Sequence, residues 1–107
     1  MESNRLEQLN NFLKDSPGDA FIRFAIAKEY EGLGNLEKAL TCYEELAGDT
    51  PDYVGTYYHL GKAYEIQEQP ERAMETYRAG ILVAKKQGDR HAANELQGAV
   101  EQCEDNI

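Results

Sequence analysis

The chain has 107 residues, 20 Asp and Glu against 11 Lys and Arg, a formal net charge of −9 and two cysteines. That length suits one domain with a real core, and 29% charged residues argues against disorder. The surplus of carboxylates argues against nucleic acid, which needs clustered Lys and Arg, and no window approaches the roughly 20 apolar residues of a membrane helix.

The opening MESNRLEQLNNF has no basic segment ahead of an apolar run, so no secretory signal is expected. The two cysteines are accordingly expected as free thiols in a reducing, cytoplasmic setting. Leu6, Leu9, Phe12 and Leu13 predict an amphipathic helix over residues 2–14, the second half of a helical pair whose first half is missing. Ser16-Pro17-Gly18-Asp19 follows, a hydroxyl cap with proline in the first turn. Ile26, Ala27 and Tyr30 then predict a helix, and Gly34 and Asn35 supply a left-handed stop and a new cap. Ala39, Leu40, Tyr43 and Leu46 form the next apolar stripe, before a second hydroxyl-proline start at Thr50-Pro51-Asp52. Tyr57, Leu60, Gly61 and Tyr64 recur at helical spacing, and Pro70 with Glu71 suits the first turn of the helix that buries Ala73, Tyr77, Gly80 and Ile81. The run Ile81-Leu82-Val83-Ala84 predicts a helix covered on more than one side. Ala92, Leu96, Ala99, Val100 and Cys103 form the seam of a last helix over residues 89–103, with a polar outer side suited to capping a stack. Only residues 104–107 are expected to fray.

The segments 20–53 and 54–87 superpose at an offset of 34 residues, which pairs Lys28 with Lys62, Tyr30 with Tyr64, Glu31 with Glu65, Ala39 with Ala73 and Tyr43 with Tyr77. The second segment reads Tyr57-x2-Leu60-Gly61-x2-Tyr64 and Ala73-x3-Tyr77; the first reads Ile26-Ala27-x2-Tyr30, Ala39-x3-Tyr43 and Pro51. In period and spacing the chain resembles the tetratricopeptide repeat family, with Arg23 and Tyr57 where its tryptophan stands and Lys85 in place of a proline. The resemblance implies an all-α fold, a short right-handed α-solenoid of antiparallel helix pairs. It would form a single domain over residues 1–107, with two full repeats, an N-terminal half repeat and a C-terminal capping helix.

By the same resemblance, the first helix of each repeat lines a concave groove that holds an extended peptide or partner helix. The stripe in the first repeat is Phe21, Phe24, Lys28 and Glu31, and in the second Tyr58, His59, Lys62 and Glu65. Rings beside two lysines suit a peptide with hydrophobic anchors and a carboxylate. The alternative is that the N-terminal helix covers Phe21 and Phe24 and leaves the lysines as plain surface charges. A subset of the family clamps a chaperone-tail carboxylate, but of the positions it would use here, Phe24, Lys28 and His59, only Lys28 matches, so that ligand is not expected.

No Gly-rich phosphate loop occurs, and no metal, cofactor or catalytic site is expected. His91 and Glu95 with Asp89 fall short of the four ligands of a structural metal site, and neither Cys42 nor Cys103 has the arrangement of a Cys/His nucleophile. The sequence therefore predicts a non-enzymatic protein-interaction scaffold, monomeric or weakly dimeric. The alternative is a structural role through self-association or docking into a larger assembly.

Overall fold

Turn chemistry divides the described residues into six α-helices: α1 (Asn4–Asp15), α2 (Ala20–Gly32), α3 (Leu36–Asp49), α4 (Gly55–Ile66), α5 (Pro70–Gln87) and α6 (Arg90–Asp105). The computed structural model describes residues 3–107 and has no strand among them; the expected helix start at Glu2 lies outside the described residues. Side-chain oxygens satisfy orphan amides at four helix starts: Ser3, Asp19, Asn35 and Asp89 accept from Leu6, Ile22, Lys38 and Ala92, respectively. Two expected starts are corrected. Ser16 and Thr50 are C-caps of α1 and α3; α2 takes Asp19 as its cap, and α4 begins at Gly55 with no side-chain cap. A proline in the turn marks a boundary but does not say which neighbour does the capping.

The turns between the helices of each pair repeat one geometry. In the first, Gly34 sits at φ 81° and donates to the Glu31 carbonyl, while the Asn35 amide reaches the Tyr30 carbonyl. One period later the Glu68 amide reaches Glu65 and the Gln69 amide reaches Tyr64. Glu68, however, holds a positive φ of 60° with a Cβ in place, and Gln69 makes no side-chain cap. A non-glycine residue in this region costs about 1–2 kcal/mol, and a missing cap about 1 kcal/mol. Glu68→Gly with Gln69→Asn, which copies the first turn into the second, should therefore stabilise the chain by about 1–2 kcal/mol after the entropy cost of glycine. Urea unfolding measures this directly, and a midpoint unchanged or lowered would refute the equivalence of the two turns.

The helices form two compact units, one ending at Thr50 and the other beginning at Pro51. In unit 1, α2 packs against α1 and α3. Leu6, Leu9 and Ile26 make one buried cluster, with Leu13, Ile22, Ala25, Tyr30 and Cys42 around it, and Ala27, Ala39, Tyr43 and Leu46 are buried as well. Phe12 departs from expectation and is 61% exposed, because it lies about 100° round the helix from Leu13 and so leaves the buried arc. In unit 2, α5 packs against both α4 and α6. The predicted stripes Tyr57, Leu60, Gly61, Tyr64 and Ala73, Tyr77, Gly80, Ile81 are all buried. The run at Ile81–Ala84 is not covered all round: Ala84 is buried, but Leu82 is 71% exposed, since neighbours along a helix point about 100° apart. The α6 seam uses Ala93 in place of Ala92, with Leu96, Ala99, Val100 and Cys103, and the helix continues to Asp105 past the predicted end.

Gly61 and Gly80 are the points of closest approach. A Cβ on Gly61 would lie 2.6 Å from Cδ1 and Cζ of the buried Tyr77 ring. One on Gly80 would lie 2.5 Å from the Tyr57 Cβ and 2.9 Å from Leu96 Cδ1. Side chains of Tyr77, Tyr57 and Leu96 thus fill the space that a side chain at either glycine would need. Thr56 is the one departure from good polar pairing among the described residues: its hydroxyl is fully buried with no hydrogen-bond partner, at the position held by Ile22 one period earlier.

Candidate functional site

Helix spacing brings the predicted site residues of each unit into one small constellation, and the constellation occurs twice. In unit 1 the Lys28 ammonium lies 5.9 Å from the centre of the Phe24 ring, which is tilted against Tyr43 at 6.1 Å. The Tyr43 hydroxyl donates to a Glu31 carboxylate oxygen at 2.9 Å. In unit 2 Lys62 lies 5.4 Å from the Tyr58 ring centre, Tyr58 is 6.4 Å from Tyr77, and the Tyr77 hydroxyl donates to Glu65. Lys62 also pairs with Glu65 at 3.6 Å. His59 stands edge-on to Tyr58 at 5.6 Å. A second repeated contact lies beside each, with Lys38 over Tyr30 at 5.4 Å and Arg72 over Tyr64 at 4.5 Å. Contacts of this kind contribute about 0.5–1 kcal/mol each at exposed sites and fix where the lysine stems lie.

This geometry changes the reading of the stripe in one respect. Glu31 and Glu65 hold the buried hydroxyls of Tyr43 and Tyr77 inside their own hairpins. The sequence places Tyr43 and Tyr77 only in the apolar stripes of their helices; the carboxylate 12 residues before each tyrosine, repeated at the 34-residue offset, is the signal that could have found the pairing. Burial, followed by the hydrogen bond to the carboxylate, raises the Tyr43 and Tyr77 hydroxyls far above the usual tyrosine value. Burial, then the nearby Asp52, also raises Tyr57, whose hydroxyl donates to the Pro51 carbonyl at 2.6 Å.

Solvent reaches the two stripes unequally. Phe21 is 68% exposed, and α1 does not cover it. Phe24 is half-buried, with its ring on Tyr43 of α3. The matching positions in unit 2 are the half-buried Gly55 and Tyr58. Arg23, at the position of Tyr57, bonds Asp49 at 3.0 Å across its own hairpin. Burial raises both thiols above the usual cysteine value, which disfavours the thiolate, and the Cys103 thiol points to the Pro70 carbonyl. No helix among the described residues is long and apolar enough to cross a membrane.

Two helical hairpins, α2 with α3 and α4 with α5, carrying the same ring, ammonium, carboxylate and hydroxyl contacts one period apart, define a helical-repeat protein. A family model described as TPR repeat matches residues 27–68, and one described as tetratricopeptide repeat matches residues 54–87. The chain belongs to the tetratricopeptide repeat family. It is similar to a tetratricopeptide repeat domain protein from Salinibacter ruber, whose solution structure shares 45% identity over 82% of this chain and 89% of that one, with a TM-score of 0.79. It is similar in fold to the TPR2B domain of yeast Sti1 in its complex with pHsp70, at 17% identity, covering 95% of this chain and 82% of that one, with a TM-score of 0.86. PcrH in complex with the chaperone binding region of PopD gives 15% identity, coverage of 94% and 77%, and a TM-score of 0.83.

Proposed function

We propose that this chain is a non-enzymatic protein-interaction module whose first-helix stripes, on α2 and on α4, contact an extended peptide or a partner segment. The observation that carries the reading is Phe21, a large ring 68% exposed on α2, next to a stripe whose other members are held in place by contacts within the hairpin. A rigid backing with an apolar side chain left in water is the arrangement of a binding hot spot, because little entropy is lost when a partner covers it. The helical-repeat neighbours in complex with pHsp70 and with a segment of PopD support a contact of this kind. Phe21, Phe24, Lys28 and Glu31 on α2, and Tyr58, His59, Lys62 and Glu65 on α4, are the residues assigned to it.

The test replaces both lysines. Lys28→Glu with Lys62→Glu should weaken capture of a physiological partner by about tenfold or more, at unchanged helicity by circular dichroism. A photo-crosslinking residue at position 21 should give an adduct with the same partner. Unchanged capture by the double variant would remove the lysines from the site, and the absence of any adduct would remove α2.

A further inference from the structure

The depression beside Phe21 has a charge opposite to that of the rest of its unit. It lies between α1 and α2 and is lined by Arg5, Phe21, Phe24, Ala25, Lys28 and Glu29. Its single carboxylate, Glu29, is already engaged, by the Arg5 guanidinium at 3.6 Å and by the Ser3 hydroxyl at 3.0 Å. Arg5 remains 66% exposed and Lys28 is exposed as well. Two cations against one carboxylate thus flank two phenyl rings, in a segment up to Thr50 that carries ten carboxylates and five cations overall. In unit 2 the position of Phe21 is Gly55, and Lys62 is bound to Glu65. Arg5 is paired as Lys62 is, but its side chain remains 66% exposed against 34% for Lys62, so a bare ring beside two cations open to water belongs to unit 1.

From this we infer that the α1/α2 depression takes an acidic-apolar partner segment, in which an aromatic or aliphatic side chain lies next to an Asp or Glu. The inference rests on the reading of α2 as a partner-contacting helix and adds the chemistry of what it contacts. The apolar side chain packs on Phe21 and Phe24, and the carboxylate lies between the Arg5 guanidinium and the Lys28 ammonium. Elsewhere on the unit the surplus of carboxylates repels such a segment, so the charge pattern selects its place as well as its sign. Arg5 lies on α1, so the preference depends on the α1/α2 pair and not on α2 alone.

Amide chemical shifts of the full chain, titrated with two synthetic hexapeptides, test it. One is acetyl-Gly-Asp-Leu-Phe-Asp-Gly-amide; the other replaces both Asp by Lys. The acidic peptide should shift the amides of Arg5, Phe21, Phe24 and Lys28 and bind about tenfold more tightly than the lysine peptide, as expected when two contacts change from attraction to repulsion near a wet surface. Arg5→Glu with Lys28→Glu, both at exposed positions, should invert that order, and Phe21→Ala should weaken both peptides. Equal binding of the two peptides, or an order unchanged in the reversed-charge variant, would overturn the acidic-apolar assignment and leave α2 as a contact surface. No shift on α2 with either peptide, together with no adduct from position 21, would overturn both readings.

Discussion

Gly61→Ala and Gly80→Ala should each lower stability by about 1–2 kcal/mol, whereas Gly98→Ala, the same change in another helix, should raise it by about 1 kcal/mol. Alanine is the better helix former by about 1 kcal/mol in every case, so the sign depends on what the new methyl meets. At Gly98 it meets nothing within 4 Å. At Gly61 it meets the fully buried Tyr77 ring, which Tyr58 and the hydrogen bond to Glu65 hold in place. At Gly80 it meets the Tyr57 Cβ, which is nearly backbone and moves only with α4. Relief requires α5 to move away from α4, at an overpacking cost of about 2–3 kcal/mol that exceeds the gain in propensity. The first unit carries Ala27 at the position of Gly61, so its hairpin already accommodates the methyl that the second cannot. Chemical denaturation of the three variants decides the matter. Three stabilising alanines would mean that the close approach of α4 and α5 does not exist in solution.

Raising the pH above about 10 should unfold the chain steeply. Tyr43 and Tyr77 are fully buried, and their hydroxyls are raised by burial and by the carboxylates they serve; Tyr57 is raised by burial and Asp52. A group whose folded value lies above its unfolded one contributes its full stability below the unfolded value. That stability is lost as the pH rises from the unfolded value toward the folded one, because only the unfolded chain can release the proton. Each such tyrosine removes about 1.4 kcal/mol per pH unit in that window, so Tyr43 and Tyr77 together remove about 2.7 kcal/mol per unit. Tyr77→Phe should take away its share of the slope while leaving Glu65 paired with Lys62. Urea unfolding at a series of alkaline pH values gives the slope for both proteins. Identical slopes would show that the Tyr77 hydroxyl reaches water in the folded state.

Short-range chemistry made most of the architecture legible. The left-handed Gly34, the Asn35 cap, Pro70 at the start of α5 and the buried faces of α4 and α5 each depend on residues within a few positions of one another, and the 34-residue offset shows the same local pattern twice. The failures have the same origin. Ser16 and Thr50 close the preceding helices through their backbone amides, a role open to almost any residue, so a hydroxyl before a proline does not by itself mark a helix start. Phe12 and Leu82 are as apolar as the neighbours that are buried, and only their angle round the helix separates them from the core.

By itself, then, the sequence determined the number and kind of helices, their pairing in repeats and the residues of the two first-helix stripes, because helical period and turn chemistry act between near neighbours. What those stripes present to water was decided by the tertiary structure. The hydroxyls of Tyr43 and Tyr77 reach back 12 residues to occupy Glu31 and Glu65. Glu29 turns to Arg5 and Ser3 of another helix, and Phe21 is left uncovered. Exposure and charge pairing arise from groups distant in the chain, and only packing brings those groups together or keeps them apart.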